Sequence, residues 1–348
     1  MQKVKYLIVG QGLAGTMLSY MFTKKQIPHK VIAANTLPSA SSVAAGIYNP
    51  LVFRRLTKSW MIDELLPVMF DSYKSLELLL DTKLLYTKPI AKLIHPNEKQ
   101  FWTDRIESQH LQSYFDGFKK PDDVSGLKST FDLALIANSG YVDLTELLGK
   151  YSTYLLRNNS LIDVDFNYAD LQFPNTKVNW KGIKAEKIIF CEGSFAINNP
   201  FFPANVFYLA KGDVLTVKIP NLSEKYILNK DVFILPKGNQ LFLIGSTYER
   251  ENLTWEVEPT NAKMLLEKAQ NLIELPIKLI DHTVGIRPTV RDRRPVLGLH
   301  PIHNSLAFFN GLGTKGVMLA PYFANEMVNL LENESYPLSK EVDLNRFV

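Results

Sequence analysis

Two glycine-led turns and one arginine-rich block are the parts of this chain whose residue types and spacing carry chemistry. Gly10, Gly12 and Gly15 follow the apolar run Tyr6-Leu7-Ile8-Val9 and precede a helix face marked by Leu13, Ala14, Met17, Leu18, Met21 and Phe22. Gly-x-Gly-x-x-Gly between strand and helix is the pattern of a turn that receives a dinucleotide pyrophosphate. The first glycine permits a tight turn, the second lets backbone approach phosphate, and the third lets helix and strand pack closely. The helix N-terminus adds N–H groups and partial positive charge facing the phosphates. A second cluster, Gly311-Leu312-Gly313-Thr314-Lys315-Gly316, follows the strand-like run Leu306-Ala307-Phe308-Phe309. Beyond it Met318, Phe323, Met327, Val328 and Leu331 mark another helix. It is not a P-loop, because Gly316 rather than Ser or Thr follows Lys315. Nor can it open a second dinucleotide domain, since only about 30 residues remain. Two glycine-led helix N-termini at opposite ends of the chain therefore suggest one large cofactor.

Other chemistries find little support. The histidines at 29, 95, 110, 282, 300 and 303 show no metal-ligand spacing with each other or with cysteine, so no metal site is expected. No Gly-x-Ser-x-Gly nucleophile elbow is present.

The elements that position these residues read as a mixed α/β chain, α+β overall. Its 348 residues suggest about two domains on length alone. Hydrophobic residues make up 46% and charged residues 21%, an ordinary globular balance. The net charge of +4 is too small to imply nucleic acid as a partner. Cys191 is the single cysteine, which excludes an internal disulfide framework and fits a cytoplasmic location. No run of about 18 apolar residues exists, so no membrane span is expected. Val31-Ile32-Ala33 reads as a second strand, and Ser39 to Gly46 as a loop of small residues. A helix is expected over about 59–80 with a kink near Pro67, another over 143–154 with Asp143 as N-cap, and another over 260–273. Antiparallel strands are expected near 206–219, 226–235 and 240–246, with Pro236-Lys237-Gly238-Asn239 as the hairpin turn.

The block Gly285-Ile286-Arg287-Pro288, the charged turn Arg291-Asp292-Arg293-Arg294, and Pro295-Val296-Leu297-Gly298 make the pattern specific. Together with the C-terminal glycine cluster and Ala320-Pro321, they resemble the flavoenzymes of the D-amino-acid oxidase superfamily, with glycine oxidase and sarcosine oxidase as the nearest types. The similarity runs in order through Ser41 to Gly46, Gly193, Lys211-Gly212-Asp213 and Gly245-Ser246-Thr247, and is faint over 80–140. It implies a discontinuous Rossmann-like FAD-binding domain over 1–75, 141–205 and 281–348. An antiparallel-sheet substrate domain would be inserted over 76–140 and 206–280.

By that resemblance, Gly10, Gly12 and Gly15 hold the FAD pyrophosphate with Leu13 and Ala14 beside them, and Ser41, Ser42, Ala45 and Gly46 line the pyrophosphate and flavin. Tyr168 lies near the adenine, and Gly193 closes a strand at the cofactor. Gly311, Gly313, Thr314, Lys315 and Gly316 flank the flavin's pyrimidine edge. Arg287 is the expected clamp for a substrate carboxylate, through two parallel charge-assisted bonds. Lys315 is expected to place positive charge near the ring and favour oxygen reduction. FAD is expected to be noncovalent, because Cys191 stands in a strand away from the family's attachment position.

Two departures stand out. The carboxylate that ends the second strand in this family is absent from Val31-Ile32-Ala33-Ala34-Asn35, leaving Asn35 as the one polar side chain there. The family's substrate-side tyrosine is matched by Phe233, which suggests a substrate other than glycine, with Tyr48 or Tyr248 able to supply a hydroxyl. The implied reaction oxidises a C–N bond of a small amine or amino acid by hydride transfer to flavin N5, with O2 as the acceptor. Three alternatives remain at this stage. The stretch Tyr48-Asn49-Pro50-Leu51 also resembles the flavin domain that demodifies a tRNA wobble uridine, a reading in which the basic patch of Arg54, Arg55 and Lys58 touches RNA. An NAD(P)-linked dehydrogenase uses the first turn alone. A non-catalytic flavin-binding protein accounts for both departures. The oligomeric state is not readable from the sequence.

Overall fold

The computed structural model describes residues 2–34, 37–174 and 177–347. Strand period explains the first sheet. Tyr6 and Ile8 face one side and Leu7 and Val9 the other, and all four are buried. A strand apolar on both faces belongs in the middle of a covered parallel sheet. The sheet orders Leu161–Ile162, His29–Ile32, Tyr6–Val9, Lys187–Phe190, Leu306–Asn310 and Val296–Leu299. Its first five strands are parallel, and Val296–Leu299 runs antiparallel at the edge. Helices Leu13–Lys24 and Gly316–Glu332 pack together on the Tyr6/Ile8 side. A small sheet containing Val178–Trp180 and Ile183–Ala185 covers the Leu7/Val9 side.

The second large sheet has eight strands. Lys278–Arg287, Ala210–Lys218, Leu241–Gly245, Phe233–Gly238 and Ile227–Asn229 lie in order and pair antiparallel. Ile90–Ile94, Asp132–Ile136 and Phe115–Lys119 complete it. Leu215, Val217 and Ile244 point from one face onto helix Pro259–Gln270. The last strand starts before residue 281 and carries Arg287 at its end, so this sheet extends past the boundary expected from the sequence.

Several local readings change. The run 226–235 is two short strands that fold back on each other, turning at Lys230-Asp231, with Leu228 opposite Ile234. The next hairpin turns at Asn239-Gln240, both with positive φ (54° and 63°), which suits the right-handed twist of the strands. Pro236 stays inside its strand because a register shift between Pro236 and Gly238 absorbs its missing donor. The helix after it begins with Pro259 and ends at Gln270. Asp143 caps helix Leu144–Arg157 by accepting from Glu146 N at 3.2 Å, and helix Ile62–Leu80 continues through Pro67. Within the small-residue loop, Ala40–Val43 forms one helical turn capped by Ser39.

Candidate active site

The carboxyl ends of the parallel strands open into a cavity of about 1100 Å³, walled on its far side by the eight-stranded sheet. This is where ligands bind in open α/β sheets. The volume exceeds the range of about 300–1,000 Å³ usual for small-ligand sites, and suits a dinucleotide plus a small substrate.

The glycines of the first turn have separate reasons. Gly10 has φ +98°, and a Cβ there would lie 2.5 Å from the Cys191 carbonyl oxygen. Gly15 faces the sheet rather than the cavity, where a Cβ would lie 1.9 Å from the Gly10 oxygen. Its contribution is therefore close helix–strand packing, not phosphate contact. Gly12 is different. A Cβ there would meet only Ser41 Oγ at 3.4 Å and Ser39 Oγ at 3.7 Å, ordinary contacts, and Gly12 lines the cavity with Leu13 and Ala14. Its missing side chain leaves room for whatever enters the cavity. Ser41 Oγ accepts from Leu13 N at 3.0 Å, docking the Ala40–Val43 turn against the helix N-terminus. Ser42, Ala45 and Gly46 line the same wall.

The second turn meets the first from the other side. A Cβ on Gly316 would sit 3.1 Å from Leu13 Cδ2, so the two helix N-termini are neighbours at the cavity. Gly313, Thr314, Lys315 and Gly316 line it. Gly311 does not: its φ is +76°, and a Cβ would run into Val290 Cγ2 at 2.6 Å, so it turns the chain on the packed side. Asn310, which sequence reasoning passed over, ties the turns together. Its Nδ2 donates to Gly193 O at 3.0 Å, and its Oδ1 accepts from Gly311 N at 2.8 Å. Gly193 has φ +59° and lines the cavity. Lys315 Nζ donates to Ser59 Oγ, a buried hydroxyl contributed from residues far away in sequence. Among the described residues no carboxylate lies within 4 Å of Lys315, and desolvation lowers its pKa to about 8.

After the second parallel strand, Ala33 and Ala34 line the wall and carry no carboxylate, Asp165 lines the same cavity, and Asn35 lies outside the described residues. Tyr168 lines the cavity, and its hydroxyl donates to Glu192 Oε1. Asn199 Nδ2 donates to Glu192 Oε2 at 2.8 Å. Burial pushes the Glu192 carboxyl upward. The Cys191 thiol is buried, and desolvation raises its pKa, so it stays a protonated, unreactive group.

Across the cavity, Arg287 comes from the end of its strand. Its guanidinium donates to Ser246 Oγ at 2.8 Å, Thr247 O at 3.2 Å and Lys211 O at 3.3 Å. Gly212 makes room for it, since a Cβ there would lie 1.9 Å from Nη2. Desolvation lowers the Arg287 pKa, yet guanidinium remains charged. No carboxylate stands within 4 Å among the described residues. Thr247 is itself fixed by buried Asp213, which accepts from Thr247 Oγ1 at 2.7 Å, Asn261 Nδ2 at 3.0 Å and pairs with His282 Nε2 at 2.8 Å. Phe233 lines the cavity with its ring over Gly245, where a Cβ would come within 2.6 Å. Tyr48 is not on the wall. Strand alternation turns its ring into the core against Phe70, with the hydroxyl donating to Tyr86 O at 3.4 Å and its pKa pushed up to about 12 by burial. The expectation of a substrate contact from Tyr48 is corrected accordingly. Tyr248 is exposed, with its ring centre 5.7 Å from the Arg287 guanidinium. Arg54 and Arg55 are exposed, and Lys58 is paired with Asp63 at 2.8 Å.

Among the described residues no group of three or more His, Cys, Asp or Glu converges, and no helix is long and apolar enough to cross a membrane. The bare Gly12, the paired helix N-termini and the cavity's size fit a dinucleotide cofactor lying across both turns.

The chain is similar in fold to glycine oxidase from Bacillus cereus, with TM-score 0.81 and 18% identity over 95% of this chain and 98% of that one. It is equally similar to iminodiacetate oxidase from Chelativorans sp., with TM-score 0.81 and 16% identity over 97% and 98%. In sequence it is 27% identical over 187 residues to the bifunctional protein ThiO/ThiG of Trichormus variabilis, covering 51% of this chain and 28% of that protein. It is 26% identical over 128 residues to glycine oxidase of Bacillus licheniformis, covering 36% of this chain and 35% of that protein. The matches thus span about a third or less of the length of these curated relatives. A family model described as FAD dependent oxidoreductase matches residues 5–330. The chain belongs to that family of FAD-dependent oxidoreductases.

Proposed function

We propose that this enzyme oxidises the C–N bond of a small amine or amino acid whose carboxylate is held by Arg287. The observation that carries the reading is the state of Arg287. It is a guanidinium on the cavity wall, fixed by three oxygens and lacking a carboxylate partner among the described residues. A planar cation held this way is preorganised to receive a carboxylate on the N–H groups that these three bonds leave free.

When bound, FAD supplies the two-electron acceptor, taking the hydride that the substrate loses from the carbon next to nitrogen. The residues of this chain do the rest. Gly12, Leu13 and Ala14 at one helix N-terminus, with Ser41 and Ser42, hold the pyrophosphate. Gly313 to Gly316 would set a second helix N-terminus, and with it positive charge, against the same cofactor. Arg287 orients the substrate, and the Phe233 ring forms an apolar wall beside it. Phe233 gives no hydroxyl to the substrate, which favours an amine other than glycine. The substrate amine enters neutral, so no dedicated base is needed. Lys315, held only by Ser59, is the residue on this wall suited to favour electron transfer to O2 while protonated. FAD binding is noncovalent, consistent with the buried Cys191 thiol.

The test is anaerobic mixing of the FAD-loaded protein with sarcosine, glycine, D-amino acids and other secondary amines. Loss of flavin absorbance near about 450 nm with one class identifies the substrate. Failure of every carboxylate-bearing amine to bleach the flavin overturns the reading.

A further inference from the structure

A second arginine, outside the cavity lining but sharing an aromatic neighbour with Arg287, has no partner for part of its charge. Arg250 lies with its guanidinium 3.3 Å from the Tyr208 ring centre and 5.1 Å from that of Tyr248. Its Nη2 donates to Tyr248 Oη at 2.9 Å, while its Nη1 is buried with no hydrogen-bond partner. No carboxylate lies within 4 Å among the described residues. Buried donors in native proteins are almost always satisfied, so an orphaned one on a cation leaves charge that no protein acceptor compensates, and an anion reaching it displaces the group that covers Nη1. Two aromatic faces hold the guanidinium plane and limit the rotamer entropy lost when an anion docks.

The position matters as much as the vacancy. Arg287 lies 5.7 Å from the same Tyr248 ring centre. The two guanidinium carbons are therefore no further apart than 5.1 plus 5.7, or 10.8 Å. Tyr248 is exposed, and its ring is near both. Ser246, two residues earlier, lines the cavity and bonds Arg287. A small molecule with one acidic group on Arg287 therefore has a second cation within this span.

We propose that Arg250 is a second anion-binding residue, and that the substrate is an amine carrying two acidic groups, one on each arginine. The inference rests on Arg287 as the carboxylate clamp. The shared chemistry of the second group is an oxyanion, either carboxylate or phosphonate-like.

The test uses FAD-loaded protein and non-oxidisable probes, so that it does not depend on turnover. Butyrate, glutarate and 4-phosphonobutyrate are titrated while the absorbance of the bound flavin is followed. Both diacids are expected to bind about tenfold to a hundredfold tighter than butyrate in the wild type, the gain from one additional charge-assisted contact. Arg250→Gln is expected to collapse that ratio toward one, and Arg250→Lys to restore part of it. A purely structural role for the stacked guanidinium lowers the melting temperature without moving the ratio. The relative response to glutarate and 4-phosphonobutyrate identifies the oxyanion. Equal binding of all three probes to the wild type overturns the proposal, as does a diacid advantage that survives in Arg250→Gln. Failure of the amine reading is separate: diacids then keep their Arg250-dependent advantage while no amine bleaches the flavin.

Discussion

Alanine at Gly12 separates what the protein needs from what the cofactor needs. The backbone at Gly12 has φ −67° and ψ −170°, an extended conformation open to alanine. The new methyl group would meet only the Ser41 and Ser39 hydroxyl oxygens, at 3.4 and 3.7 Å. Alanine reduces the freedom of the unfolded chain, worth about 0.4–1 kcal/mol in favour of folding. It is also a poorer N-cap than glycine, a loss of similar size. These nearly cancel, so the apoprotein should melt within a few degrees of wild type. FAD binding should suffer, because the methyl group stands where phosphate approaches backbone. Losing one charge-assisted contact costs about 1.5–3 kcal/mol, or from about tenfold to somewhat over a hundredfold in Kd. Differential scanning fluorimetry of the apoprotein and titration of its intrinsic fluorescence with FAD read the two effects separately. Gly15→Ala is the contrast, since its methyl would lie 1.9 Å from a backbone oxygen and should prevent folding outright. If Gly12→Ala binds FAD as tightly as wild type, the cofactor does not lie against this turn as argued.

Other outcomes follow from single contacts. The pKa of Lys315 falls to about 8 through desolvation, so the folded state sheds this proton before the unfolded state does. Folding stability should therefore rise with pH between about 8 and 10.5, and Lys315→Met should flatten that rise in urea titrations. If the protonated lysine favours flavin reoxidation, the reoxidation rate falls as pH rises through about 8, and the same variant removes the inflection in stopped-flow traces. Asp213→Asn replaces an acceptor of three bonds by a group that must donate at one position. Thr247 then loses its anchor, and KM should rise more than kcat falls, with destabilisation of about 1–3 kcal/mol in a denaturant titration. Phe233→Tyr places a hydroxyl on the cavity wall and should raise kcat/KM for glycine relative to bulkier amines in a steady-state assay.

What was legible in the sequence has a physical pattern. Gly10 and Gly15 are readable because only glycine fits those contacts, and strand period and capping placed Tyr6–Val9 and Asp143. Arg287 is readable through the motif around it. Other site features come from chain segments that only folding brings together. Ser59 beneath Lys315, Asn310 between two turns, and the Glu192 grip by Tyr168 and Asn199 leave no local spacing signal. Tyr48 and Gly311 show the opposite error. Each sits within a motif that faces the cavity, yet strand alternation or turn geometry sends it to the packed side. Pro236 misled the turn assignment because a bulge, invisible in composition, lets proline remain in a strand.

Anaerobic reduction of the bound flavin tests the central claim most directly. Wild-type protein mixed with carboxylate-bearing amines should lose its absorbance near about 450 nm with at least one of them. Arg287→Met, with FAD still bound, should require about a hundredfold more of that amine for the same rate, the loss of a charge-assisted contact to its carboxylate. An amine that reduces the flavin equally well in wild type and Arg287→Met would contradict the account.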